Sequence, residues 1–172
     1  MKKFFIFVFI LMLSLSIAAC AGAPEQNEPV SENPGQGGSL VGVYQTILDD
    51  LWKVDEGLNS DITVLAFDLS QVPNLTEAEK DELINMVSKS HGVDGMRGTF
   101  DELSEQGYID KENLTFETGM LITIEATDVT ADSFTFDVTK WRSGTGAYFL
   151  IDCKAVKTGN GWSYSVGSEA IS

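Results

Sequence analysis

Histidine occurs once in this chain of 172 residues, at His91, and cysteine twice, at Cys20 and Cys153. That scarcity excludes zinc sites built from several histidines or from a thiolate cluster. Basic residues are few: 11 Lys and Arg face 26 Asp and Glu, for a net charge of −15. Such a chain has no basic patch able to follow a phosphate backbone, so nucleic acid is disfavoured as a partner. Attraction to anionic lipid heads is disfavoured for the same reason. Proline is nearly absent from the body of the chain, since three of the four prolines fall within residues 21–38. Internal repeats are missing.

One long apolar run is present, at the start. Lys2 and Lys3 precede Phe4 to Ile17, which is broken only by Ser14 and Ser16, and Ala18-Ala19-Cys20 follow. A charged start, an apolar middle and small residues at the end make an export signal over residues 1–19. A spanning helix needs about 20 apolar residues, and this run is shorter. An ordinary secretory signal, with Cys20 incidental, is the other alternative. The arrangement around Cys20 resembles the lipobox of bacterial lipoproteins. The resemblance implies that the Cys20 sulfur takes a diacylglycerol, that the bond before it is cleaved, and that the new amino terminus can be acylated. Two chains suffice for stable anchoring, each buried methylene contributing about 0.8 kcal/mol. The expected location is the extracytoplasmic face of a cell membrane, with the membrane a partner through the lipid. Cleavage leaves 153 residues and, by removing two lysines and no acid, moves the net charge from −15 to −17. It also leaves Cys153 without an intrachain partner, so stability must come from an apolar core, which a domain of this length can build.

Residues 20–38 read as the lipidated cysteine and a disordered linker, with almost no apolar bulk. Residues 39–172 read as a single domain. From Ser39 to Gly57, Leu40, Val43, Tyr44, Ile47, Leu48 and Leu51 recur at helical spacing. Ile62–Leu69 is a short apolar run of strand formers, ended by Pro73. Thr76 and Glu79 form a capping box for a helix over 77–90, and Thr99 and Glu102 form a second one for a short helix that closes at Gly107. Gly92, Gly95 and Gly98 make the stretch between these helices a loop.

The last third alternates with period two. Met120, Ile122 and Ile124 form one apolar set. Phe134, Phe136 and Val138 form the next, then Phe149, Ile151, Cys153 and Ala155, then Trp162, Tyr164 and Val166. A turn on Ser143-Gly144 pairs Val138 with Phe149 and Phe136 with Ile151. A turn on Gly159-Asn160 pairs Ala155 with Tyr164. Both registers put the apolar sets on one face. The fold class expected is α+β: N-terminal helices packed on one face of a C-terminal antiparallel meander, similar to cystatin-like or NTF2-like rolls. That similarity of fold carries no function.

No catalytic or metal-ligating set emerges, and no cofactor is expected. His91 ends a predicted helix, where a side-chain donor meets free carbonyls. Cys153 falls among core residues, where a cysteine acts as a small apolar group. The acidic groups Asp49-Asp50, Asp55-Glu56 and Asp110-Lys111-Glu112 lack the spacing of a calcium loop. The glycine-rich run Gly92 to Gly98 follows a helix, so it is not a phosphate loop.

The segment Lys140-Trp141-Arg142-Ser143-Gly144-Thr145-Gly146-Ala147-Tyr148 is the candidate contact surface. Alternation puts Trp141, Tyr148 and Leu150 on the face away from the apolar sets. An exposed tryptophan beside an arginine at a glycine turn has the composition of a binding hot spot. Coverage of that face by another element is the competing reading. The segment is similar to one in small uncharacterised secreted or lipoprotein domains of Gram-positive bacteria, which carry Lys-Trp-Arg-Ser-Gly followed by Gly-Ala. Trp52 and Leu58-Asn59-Ser60-Asp61 belong to the same resemblance, which implies no activity. The function expected is therefore a non-enzymatic, membrane-anchored domain that binds an envelope protein, a glycan or a small ligand through Trp141, Arg142 and Tyr148. A small carboxylate-dependent envelope hydrolase and a structural spacer are the alternatives.

Overall fold

The computed structural model describes residues 33–35, 38–159 and 161–172. The leader, Cys20 and most of the linker lie outside the described residues. Strand β1 (Asn33–Gly35) falls within the segment read as linker and pairs antiparallel with the penultimate strand. Helix α1 (Leu40–Lys53) starts at Ser39, whose Oγ accepts the Gly42 amide at 3.1 Å. It buries Val43, Tyr44, Ile47, Leu48 and Leu51, the stripe that the spacing dictates. A 3-10 turn (Glu56–Asn59) leads into β2 (Val64–Gln71).

Helix α2 (Glu77–His91) and helix α3 (Phe100–Glu105) each begin with the reciprocal capping box read from the sequence. Between them Asp94–Arg97 is not a loop but β3, pairing parallel with β2. Its glycine is the reason: a Cβ at Gly95 would lie 2.8 Å from the Ile84 side chain. The backbone of β3 therefore runs close under α2, and only glycine permits that approach.

The meander is present as β4 (Gly119–Thr127), β5 (Ser133–Ser143), β6 (Gly146–Thr158) and β7 (Gly161–Ser165), each antiparallel to the next. A last strand, β8 (Ser168–Ile171), continues along β6 beyond β7. The sheet order is β1-β7-β6-β5-β4-β2-β3, with β2 parallel to both β3 and β4. The fold is thus α+β, with a mixed rather than a purely antiparallel sheet.

Two cores lie on opposite faces. The larger packs α1 and α2 against Leu65, Phe67, Met120, Ile122, Phe134, Phe136 and Cys153. The smaller packs α3, through Leu103 and Phe100, against Ala66, Leu121, Phe116 and Trp141. Alternation along β2, β4 and β5 divides the two sets. Phe100 and Leu103 point inward on the face opposite α1 and α2.

The β6–β7 register is the one the turn chemistry predicts, with Ala155 opposite Tyr164. The β5–β6 register differs. Phe136 opposes Cys153 and Val138 opposes Leu150, so two residues of β6 face one of β5. This is a bulge. Asp152 takes a left-handed φ of 54°, and its amide donates to Asp137 Oδ1 at 2.8 Å. The extra residue reverses the alternation toward the hairpin. Leu150 and Tyr148 turn into the larger core, while Phe149 and Ile151 move to the other face. The expected placing of Tyr148 and Leu150 beside Trp141 is therefore corrected.

Candidate functional site

The Lys140–Tyr148 segment is where two faces of the sheet are tied to the loops around it. Lys140 follows Phe134, Phe136 and Val138 in alternation and so enters the larger core, where it is 0 % exposed. Its Nζ donates to the carbonyls of Val54, at 2.7 Å, and Asp55, at 3.3 Å. Burial pulls the amine down to about 8, against the opposing pull of Asp55 and Glu56. Arg142 donates to the carbonyls of Leu58 (3.1 Å), Ser60 and Glu117 (3.1 Å). The two cations hold the chain from Val54 to Ser60 on the sheet. Residues 54–60 supply the carbonyls and the β5 segment the donors.

Trp141 is half-buried in the smaller core, its ring edge-on to Phe100 at 5.2 Å. Tyr148 is buried on the opposite face and donates its hydroxyl to Glu169. Burial, with Glu169 beside it, pushes the phenol up to about 12. Trp141, Arg142 and Tyr148 therefore do not line one open surface.

His91 is the last residue of α2. Its ring stacks on Trp52 at 4.1 Å, and its Nε2 lies 3.0 Å from Asp49 Oδ1. Burial holds the imidazole below the usual histidine range, against the pull of Asp49. Cys153 is buried within the larger core, and burial pushes its thiol up to about 11. Among the described residues no group of three His, Cys, Asp or Glu is placed to hold a metal ion.

A larger recess than that beside Glu125 and Asp137 lies elsewhere. A cleft of about 490 Å³ opens at the carboxyl ends of the parallel strands β2 and β3. Phe67, Asp68, Leu69 and Ser70 form its floor, with Glu77 and Lys80 of α2 and Glu102 and Gln106 at α3 on its walls. Open sheets with parallel strands hold their ligands outside those ends, because connections leaving on opposite faces part there. Here β2 leads into α2 on one face, and β3 leads into α3 on the other.

Charge is divided across the cleft. Arg97 pairs with Phe67 in register and so faces α2. It donates to the Glu77 carboxylate, to the Glu77 carbonyl at 2.9 Å, and meets Asp81 at 3.2 Å. Lys80, whose side chain is 11 % exposed, meets the same Glu77 carboxylate at 3.0 Å. Arg97 and then Lys80 hold the Glu77 carboxyl below its usual range. On the α3 side lie Asp68, which shares the face of Ala66, and Glu102. Asp68 Oδ1 accepts from the amide (3.0 Å) and hydroxyl (2.6 Å) of Ser70.

A second recess, of about 260 Å³, lies on the part of the α3 face that α3 leaves open. Thr123, Glu125, Asp137, Thr139, Phe149 and Ile151 line it, and Glu125 and Asp137 are directly opposed across β4 and β5.

Arg97, Lys80, Glu77 and Asp68 were not singled out by their sequence pattern, and Glu102 was marked only as a capping residue. The signal was there in part: two capping boxes mark two helix starts. Reading the stretch between them as a loop hid the second strand-to-helix junction.

The chain matches no family model, no curated protein and no solved structure.

Proposed function

We propose that the protein is a lipoprotein held by Cys20 on the extracytoplasmic face of a cell membrane, with a domain that binds a small ligand without transforming it. The lipobox pattern supports the anchor. The observation that carries the binding reading is the cleft at the carboxyl ends of β2 and β3. Its volume of about 490 Å³ lies within the range of about 300–1,000 Å³ usual for small-molecule sites. No helix among the described residues is long and apolar enough to cross a membrane. The meander β4–β7 under α1 and α2 is the part compared with cystatin-like or NTF2-like rolls, whose concave faces suit the same role.

Two measurements test this reading. Full-length protein should partition into detergent on cloud-point separation, and Cys20→Ala should move it to the aqueous phase. If the variant still partitions with detergent, the anchor is wrong. A thermal-shift panel of small anions, cations, zwitterions and sugars should then contain a compound that raises Tm of the full-length protein. Ser70→Trp, which fills the mouth of the cleft, should abolish that shift. A panel without effect would remove the binding reading.

Glu125 and Asp137 are the acids on which the hydrolase alternative would rest. Asp137 already accepts the Asp152 amide that shapes the bulge, which gives it a structural task.

A further inference from the structure

We infer that the ligand of the cleft is a small zwitterion, an amino acid or short peptide carrying a free carboxylate and a free ammonium group. This rests on the reading of the cleft as a binding site and names its ligand class. The first ground is Glu77. Its carboxylate bridges Arg97 and Lys80 at the mouth of the cleft, yet its side chain is 73 % exposed. An exposed ion pair contributes little, so Glu77 can swing outward at small cost. The two cations are less free to move: Arg97 stays bound to the Glu77 carbonyl and to Asp81, and Lys80 is largely buried. The cleft therefore holds a fixed pair of donors occupied by a displaceable carboxylate of the chain itself. A ligand carboxylate fits the same two donors, Arg97 through its Nη1 and Lys80 through its Nζ, as charge-assisted bonds.

The second ground is the opposite wall. Asp68 and Glu102 face the cleft from the α3 side. They repel a ligand that is only anionic, and the acidity of the whole chain adds to that repulsion. An ammonium group a few bonds from the carboxylate turns this wall from a penalty into a contact. A purely cationic ligand would leave the Arg97–Lys80 pair with Glu77 and gain nothing there. Only a molecule with both charges uses both walls.

Isothermal titration calorimetry on the full-length protein in detergent micelles tests the inference. The probes are the twenty free amino acids singly, L-alanyl-L-alanine, its N-acetyl form and its C-terminal amide. At least one zwitterion should bind. For that ligand, Arg97→Gln should weaken binding about tenfold or more, the loss of a charge-assisted bond. Glu77→Gln should tighten binding about two- to fivefold, because an exposed competing pair is removed. Blocking either end of the probe should cost at least about tenfold. A blocked form that binds as tightly as the free one overturns the inference, as does a Glu77→Gln variant that binds more weakly. If no zwitterion binds while an anion, cation or sugar gives a Ser70-dependent thermal shift, the cleft stands as a site and the zwitterion reading falls. If nothing in either set binds, both fall.

Discussion

The Nζ of Lys140 lies 2.7 Å from the carbonyl oxygen of Val54, so the centre of the sheet is tied directly to the residue that closes the first helix. A lysine among Phe134, Phe136 and Val138 would be costly without partners. Here it supplies the donor to the Val54 carbonyl at the end of α1, and a second bond to the Asp55 carbonyl, which also accepts the Leu58 amide. Lys140→Met keeps the volume and removes the donors. Stability should fall by about 1–3 kcal/mol, the cost of leaving a buried carbonyl unpaired. Urea unfolding should show a lower midpoint at an unchanged slope. An unchanged midpoint would mean that this carbonyl finds another donor.

The same residue sets a pH dependence. Lys140 titrates at about 8 in the folded chain because burial disfavours its charge. An unfolded lysine titrates near 10.4. Between those values the unfolded chain holds the extra proton, so stability rises with pH as pH passes through 8. Cys153, pushed up to about 11, acts oppositely from pH 8.5–9 upward, as do the buried Tyr148 and Tyr44 from about pH 10. From pH 7.5 to 8.5 Lys140 contributes about 0.7 kcal/mol of gain and Cys153 opposes it by about 0.1–0.4 kcal/mol, so a net rise of about 0.3–0.6 kcal/mol is expected there. Lys140→Met should remove the rise over that interval. A wild-type protein that loses stability across it would refute the assignment.

Trp141→Ala tests whether that ring is contact or core. Its contact with Phe100 and its place beside Leu103 and Phe116 predict a stability loss of about 2–3 kcal/mol. Chemical denaturation measures it directly. A variant as stable as wild type would restore Trp141 as a surface residue.

Arg142→Lys keeps the charge and loses the fork. One ammonium on a flexible stem cannot reproduce three directed bonds to Leu58, Ser60 and Glu117. The expected loss is about 1–2 kcal/mol, and amide exchange should quicken through residues 58–60. Exchange unchanged there would show that the clamp lies elsewhere.

Cys153 should resist thiol reagents in the native protein, since it is buried and its thiol is held protonated well above neutral pH. Modification should follow unfolding, its rate rising with denaturant. Rapid labelling of native protein would expose the core at β6.

Much of the secondary structure was legible because its cause is local. The capping boxes at Thr76–Glu79 and Thr99–Glu102 start helices for reasons contained in four residues each. The Ala155–Tyr164 register followed from one glycine turn and two alternating runs. What was not legible depends on contacts far along the chain. The bulge at Asp152 is held by the Asp137 carboxylate on the neighbouring strand, and together with a second register shift between Trp141 and Ser143 it sets Tyr148 opposite Lys140 rather than Trp141. Strand β3 needs the underside of α2 before a glycine-rich run can extend beside β2.

Acidity, the scarcity of cysteine and histidine, the lipobox-like pattern at Cys20, the helix starts and the alternating strands belong to the sequence by itself, because composition and short-range pattern suffice for them. The cleft belongs to the tertiary structure. Asp68, Glu77, Lys80, Arg97 and Glu102 come from four separate elements, and only Glu102 is marked by its neighbours in the chain, as a capping residue. Only the parallel pairing of β2 with β3, with α2 leaving on one face and α3 on the other, brings their charges to one edge of the sheet.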